Sequence, residues 1–309
     1  MAILVTMRVY SGRANPSWYL TEANARELFD KLDPYLRGSS VARSDKQKVM
    51  AESFRLGGLG YRGFFLKSID DALKIPSRFA VYGGIVDFYD QDPAIDDESR
   101  DLERWLLSVY PPELDPQALR IAERERETIY RNPQCSHIHG PEERRLEGRP
   151  RYAPQIWNQS DTIGLNNCYA YANNRLFENR EGADPGAGGG APVIFGDCDD
   201  FHDALIADGL TRLQQQQLEQ PLGGGWPMAL FVLPPDFSDF HVYRQDSTGR
   251  WSHKPGGYPV RDCDEDGHVI INPRQANTLH YRLCGYYRSH SGAQIGSIRD
   301  MVRAAGLHP

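Results

Sequence analysis

Asn166-Asn167-Cys168-Tyr169-Ala170-Tyr171-Ala172 sets a cysteine at the start of a short apolar run, and Asp239-Phe240-His241-Val242-Tyr243 sets a histidine at the head of a β-type run. Asn167 is a good N-cap, so the spacing predicts a helix opening at Cys168, with Ala170, Tyr171 and Leu176 turned toward a sheet. A thiol with its ordinary pKa of about 8.5 is mostly protonated at neutral pH. A helix N-terminus and a nearby imidazole are the usual means of lowering that value. The two stretches therefore bring a candidate nucleophile and a candidate base into one chain.

Working outward, Met228-Ala229-Leu230-Phe231-Val232-Leu233 reads as a buried strand stopped by Pro234-Pro235, and His241 to Gln245 reads as the next strand. Asp246-Ser247-Thr248-Gly249 is a tight-turn signal, so Arg250 to Lys254 is expected to return as the hairpin partner, carrying His253. Upstream, Asp203 to Leu213 is expected to be a helix that ends before the Gly223-Gly224-Gly225 turn.

Cys168 opening a helix, His241 opening a strand and His253 on the returning strand resemble the core of papain-like cysteine hydrolases, most closely the NlpC/P60 branch and its amidase relatives. The resemblance spans roughly residues 155–290 and is one of order and spacing. It implies an α+β fold in which a helix carrying the cysteine packs on an antiparallel sheet carrying the histidine. Cys168 is then the nucleophile, His241 the base that later acts as acid, and His253 the residue that holds the His241 ring. Gln159 and Asn166 are the candidates for the second oxyanion donor, beside the Cys168 backbone N–H. The chain departs from the branch in having Asn166-Asn167 where Asp is common, and Val242-Tyr243-Arg244 where small residues are common.

The implied activity is a cysteine-dependent hydrolase or acyltransferase acting on an amide or ester through an acyl-enzyme, with a peptide or small-molecule amide as substrate. Trp251, Lys254 and Tyr243 suit a substrate groove, Lys254 as a partner for a carboxylate; equally, Lys254 and Arg244 read as an exposed face of the hairpin. The alternative is a non-catalytic binding module on the same scaffold, in which Cys168 is a buried small hydrophobe and His241 a core histidine with one satisfied nitrogen.

Residues 1–108 read as a small α+β domain of unassigned role. An alternating strand is expected from Ile3 to Tyr10, and a helix capped by Thr21 with Leu28, Phe29 and Leu32 on its apolar face. Two further strand-like runs, Gly60 to Leu66 and Phe79 to Tyr82, precede a helix from about Glu98 to Leu107. Its aromatic residues make this domain the candidate surface for a protein partner. Residues 109–151 form a charged, Pro-containing connector with a helix from Pro116 to Tyr130. Residues 152–290 are the catalytic domain and 291–309 a C-terminal tail.

The chain has 309 residues, of which 40% are hydrophobic and 25% charged, as in a globular protein. A net charge of -7 with no gathered stripe of Lys and Arg argues against nucleic acid as a partner. No apolar run approaches the ~20 residues of a membrane span, and the first residues are too quickly charged for a signal peptide. Five unevenly spaced cysteines do not look like a disulfide framework, so a reducing cytoplasm is the expected setting, with export by a signal-independent route left open.

Two segments raise the question of metal, although no cofactor is expected. Cys135-Ser136-His137-Ile138-His139 alternates donors that would share one side of an extended chain, a weak zinc candidate set against an exposed connector. Asp262 to Val269 matches the first half of a calcium loop, but Pro273 stands where a bidentate Glu belongs, so an acidic hairpin turn is the stronger reading. Neither Gly186 to Gly190 nor Gly223 to Gly225 sits as a strand-to-helix phosphate loop, and on a papain-like fold the Glu181 to Ala191 segment is expected to border the groove as a mobile lid.

Overall fold

The computed structural model describes residues 2–37, 59–69, 77–88, 95–97, 100–125, 135, 146–159, 162–177, 182–234 and 239–304. The chain forms two compact units: Met1–Tyr10 with Asn15–Asn132, and Ser11–Ala14 with Pro133–Pro309.

The first unit is built on a six-stranded antiparallel sheet in the order β2-β1-β3-β4-β5-β6. Its strands are β1 (Ile3–Met7), β2 (Ser17–Tyr19), β3 (Phe64–Ser68), β4 (Arg78–Tyr82), β5 (Ile85–Phe88) and β6 (Ile95–Asp96). In β1 the period of two turns Ile3, Val5 and Met7 fully inward, as the alternation predicted. β3 starts later than expected because Gly60 and Gly63 both have positive φ, and a side chain on Gly63 would collide with the Val81 carbonyl. Helix α1 (Glu22–Arg37) is capped as expected, Thr21 Oγ1 accepting from the Asn24 N–H at 3.2 Å. Among its described side chains, Ala25, Leu28 and Leu32 are buried. α2 (Asp101–Ser108) buries Leu102, Trp105 and Leu106. α3 (Pro116–Glu125) has Asp115 accepting from the Gln117 and Ala118 N–H groups; the rest of the helix expected to Tyr130 lies outside the described residues.

The second unit is built on a five-stranded antiparallel sheet, order β10-β9-β8-β11-β7. β7 is Thr211–Leu213, β8 Gly225–Val232, β9 Phe240–Gln245, β10 Trp251–His253 and β11 Arg282–His290. All eight residues of β8 are buried, which fits the central strand and the unbroken apolar run. The β9–β10 hairpin closes where the turn signal put it: Asp246 N–H reaches the Arg250 carbonyl at 2.8 Å, and Gly249 takes the left-handed φ of +84°.

Around the sheet lie α4 (Pro154–Trp157), α5 (Cys168–Ala172), α6 (Cys198–Ala207) and α7 (Ile298–Ala304). α5 is shorter than expected. Asn174 enters the left-handed region (φ +53°), and the Asn174 and Arg175 N–H groups turn back to the Tyr171 and Ala170 carbonyls, which ends the helix. α6 starts upstream of the expected Asp203. The cause is a capping box in which Asp197 accepts from the Asp199 and Asp200 N–H groups, while Asp200 accepts from Asp197. Residues 211–213, expected as the end of that helix, are the edge strand β7.

The core between α5, α6 and the sheet includes Cys168, Ala172, Phe201, Leu230, Phe240 and Val242. The cysteine expectation is overturned. Cys135 pairs with Cys263 and Cys198 with Cys284, across 128 and 86 residues of sequence. No short spacing motif could announce pairs so distant. The architecture is thus mixed α and β, with two antiparallel sheets.

Candidate functional site

Asn167 caps α5 as expected, its Oδ1 accepting from the Ala170 N–H at 3.0 Å. Its Nδ2 donates to the Gly12 and Ala183 carbonyls at 2.7 and 2.8 Å. Cys168, the first helical residue, is fully buried and is the one cysteine left as a thiol. Sγ donates to the Phe240 carbonyl oxygen at 4.0 Å. The thiol therefore sits against the start of β9, one residue before His241.

Burial is the main reason the thiol pKa is pushed up, and the Asp239 carboxylate adds to it; backbone N–H groups and Lys254 pull the other way. Asp239, immediately before β9, is itself fully buried. It accepts from the Ser11, Gly12 and Arg13 N–H groups at 2.6, 3.0 and 3.2 Å, from Ser11 Oγ at 3.1 Å and from the Tyr281 hydroxyl at 2.5 Å. Gly12 presses so closely on β9 that a Cβ there would collide with the Phe240 carbonyl and ring.

The two predicted histidines are brought together. His241 Nε2 and His253 Nδ1 are 2.7 Å apart, with the rings edge to face. His253 Nε2 lies 3.0 Å from the Cys263 carbonyl and also 3.0 Å from Arg261 Nε. These two neighbours demand opposite tautomers, because the carbonyl needs an N–H and the guanidinium needs a lone pair. With the proton on Nε2, donated to Cys263, His253 Nδ1 accepts from His241 Nε2–H, and the ring lone pair of His241 is then on Nδ1. Burial first, then the Arg261 and His241 charges, hold the His253 pKa well below the usual histidine value. Arg261 in turn pairs with the buried Glu265.

The remaining candidates sit differently from the expectation. Asn166 is buried, and both hydrogens of Nδ2 are spent on the Thr162 and Phe177 carbonyls at 2.9 and 3.0 Å, so it has none for an oxyanion. Gln159 is exposed, its carbonyl accepting from the Thr162 and Ile163 N–H groups. Trp251, Tyr243 and Lys254 are buried rather than lining a surface groove. Tyr243 packs between the Phe231 and His253 rings, and Trp251 lies beside Tyr286. Lys254 Nζ donates to the Ile163 and Gly256 carbonyls, both at 2.6 Å. Arg244 is not an exposed hairpin residue either: it pairs with Asp246 at 2.9 Å, donates to the Tyr171 and Arg151 carbonyls, and stacks on the Tyr171 ring.

The zinc candidate loses Cys135 to its disulfide, since an oxidised sulfur is no thiolate ligand; His137 and His139 lie outside the described residues. In the acidic segment, Asp264 already accepts from the Asp266, His268 and Asn277 N–H groups, which makes it the organiser of a turn. The described part of the expected lid is pinned: the Gly186 and Gly189 N–H groups both donate to Asp208 at 2.8 Å. The turn at Ser11-Gly12-Arg13 is legible in the sequence, but its partner Asp239, like the role of Arg261, is not, because the two ends of each contact are remote in the chain.

Among the described residues, no helix is long and apolar enough to cross a membrane. No protein-family model and no solved structure matches the chain. It is similar to insoluble matrix shell protein 1 of Ruditapes philippinarum, with 35% identity over 127 residues, which are 41% of this chain and 80% of the relative. At that identity and coverage, the chain belongs to the family of this shell matrix protein.

Proposed function

We propose that the chain is a papain-like thiol hydrolase or acyltransferase built on Cys168, His241 and His253. The observation that carries this reading is the 2.7 Å His241–His253 contact on the strand whose edge holds the one unpaired thiol. Because His241 Nε2 is engaged by His253, proton transfer from the thiol runs through Nδ1. In the reaction, the Sγ–H proton passes to that nitrogen while sulfur bonds to the carbonyl carbon of an amide or ester. The oxyanion collapses, the bond to the leaving amine or alcohol breaks, and the His241 proton goes to that group. Water or an amine then cleaves the thioester and restores the thiol. A peptide or small-molecule amide is the substrate class.

Iodoacetamide labelling followed by mass spectrometry tests the pair. The reading expects alkylation at Cys168 whose rate rises with pH at a midpoint that moves when His241 is replaced by Ala. An identical profile in the two proteins overturns it. Any amidase or esterase activity found has to vanish in Cys168→Ala.

The second reading, a non-catalytic module on this scaffold, is favoured by the complete burial of Cys168 and by the upward push on its pKa. The name of the relative, an insoluble shell matrix protein, fits it too. Two disulfides favour an oxidising compartment over the cytoplasm suggested by the cysteine count.

A further inference from the structure

Asn166 has both amide hydrogens engaged and Gln159 is exposed, but a buried cation, Lys254, stands close to the thiol strand. Lys254 follows directly on β10, where the His253–Tyr243 register sets it beside Val242, a residue of the same buried cluster as Cys168. Its side chain is fully buried. It is held by the carbonyl of Ile163, in the turn that leads into Asn166-Asn167-Cys168, and by that of Gly256 in the loop after β10. An ammonium taken out of water at such a cost is expected to serve more than a tie between two loops, which a neutral side chain would do as well.

We propose that Lys254 is the electrostatic positioning residue of the thiol site: its charge offsets that of Asp239 and stabilises the Cys168 thiolate. Asp239 stands at the head of β9, the strand whose Phe240 carbonyl touches the sulfur, and Lys254 stands at the end of β10, opposite Val242 of the same strand. His241 lies between them on β9. The anion disfavours ionisation of the thiol and the cation favours it, so the balance sets how much thiolate exists at a given pH. The proposal deepens the thiol-enzyme reading and rests on it.

The test is the alkylation rate of Cys168 by iodoacetamide across pH 6 to 10, in the full chain with its disulfides intact. Lys254→Met removes the charge and both hydrogen bonds. Lys254→Gln removes the charge but keeps two N–H donors for the Ile163 and Gly256 carbonyls, which guards against a mere folding defect. The expected result is a fall of about tenfold or more in both variants at every pH below the midpoint, the equivalent of one pH unit. A wild-type profile in Lys254→Gln overturns the proposal, leaving Lys254 as a hydrogen-bonded tie. His241→Ala separates the two failures. If it moves the profile while the Lys254 variants do not, only the role of Lys254 falls; if it leaves the profile unmoved, the thiol–imidazole reading falls with it.

Discussion

Replacing Asp239 by Ala is expected to destabilise the second unit by about 4 kcal/mol. The carboxylate has five hydrogen-bond donors, all neutral, and none of them is compensated in the same way once it is gone. The Ser11 hydroxyl retains the Phe240 carbonyl, and the half-buried Arg13 N–H can reach water. The Ser11 and Gly12 N–H groups are buried and would be orphaned, and the buried Tyr281 hydroxyl would lose its 2.5 Å acceptor while its 3.4 Å contact to Ser11 stays. Each buried unsatisfied group costs about 1–3 kcal/mol, so two amides with a partial loss at Tyr281 give roughly 2–6. Asn is no rescue. Both carboxylate oxygens accept main-chain N–H groups, so either orientation of an amide sets its NH2 against a donor. Urea unfolding gives the magnitude, and hydrogen exchange at the amides of residues 11–13 gives the location. A loss below about 1 kcal/mol in Asp239→Ala, or unchanged protection of those amides, would refute the reasoning.

Three further outcomes are expected. His253 has its pKa depressed in the folded protein, so its neutral form is favoured there; that stability is present above pH ~6.5 and lost as pH falls below it, by up to about 1.4 kcal/mol per pH unit. Urea midpoints at pH 5 and 7 should therefore differ less in His253→Gln than in the wild type. Removing the Cys198–Cys284 bridge with two serines frees a loop of 86 residues, and the chain-entropy relation puts the cost at about 4–5 kcal/mol; a change under 1 in denaturant unfolding would speak against the pairing. Gly12→Ala has to push β9 or its own turn aside, and is expected to lower the melting temperature by several degrees, while Gly190→Ala, where the space is open, tests the effect of backbone conformation alone.

Local signals carried the reading of the sequence well. The Asn167 cap bonds three residues ahead, the Asp246–Gly249 turn closes on itself, and β8 announces itself by an unbroken apolar run. These features depend on neighbours in the chain, where a sequence is most informative. The meeting of His241 with His253 followed from the turn, because the hairpin register sets His253 opposite Tyr243 and hence diagonal to His241 on the same face. The misplaced start of α6 was also a local matter, since Asp197 and Asp200 spell a capping box with Asp in the place of the more usual Glu. What could not be read was set by remote partners. Lys254 and Arg244 look like surface charges until the carbonyls of Ile163, Arg151 and Tyr171 draw them inward. Asn166 looked like a donor in reserve, but the Thr162 and Phe177 carbonyls claim both of its hydrogens.

The segment Ser11–Ala14 gives the gene of this protein a peculiar constraint. Its residues belong to the second unit, yet they are encoded between β1 and β2 of the first. No single cut in the chain, and no single recombination junction, can therefore deliver the second unit whole. A truncated protein beginning at Pro133 would keep the Asp239 carboxylate while discarding three of the main-chain donors it was built to hold. Any relative that carries the thiol unit without this N-terminal stretch has to supply a substitute turn, or a different residue at the position of Asp239.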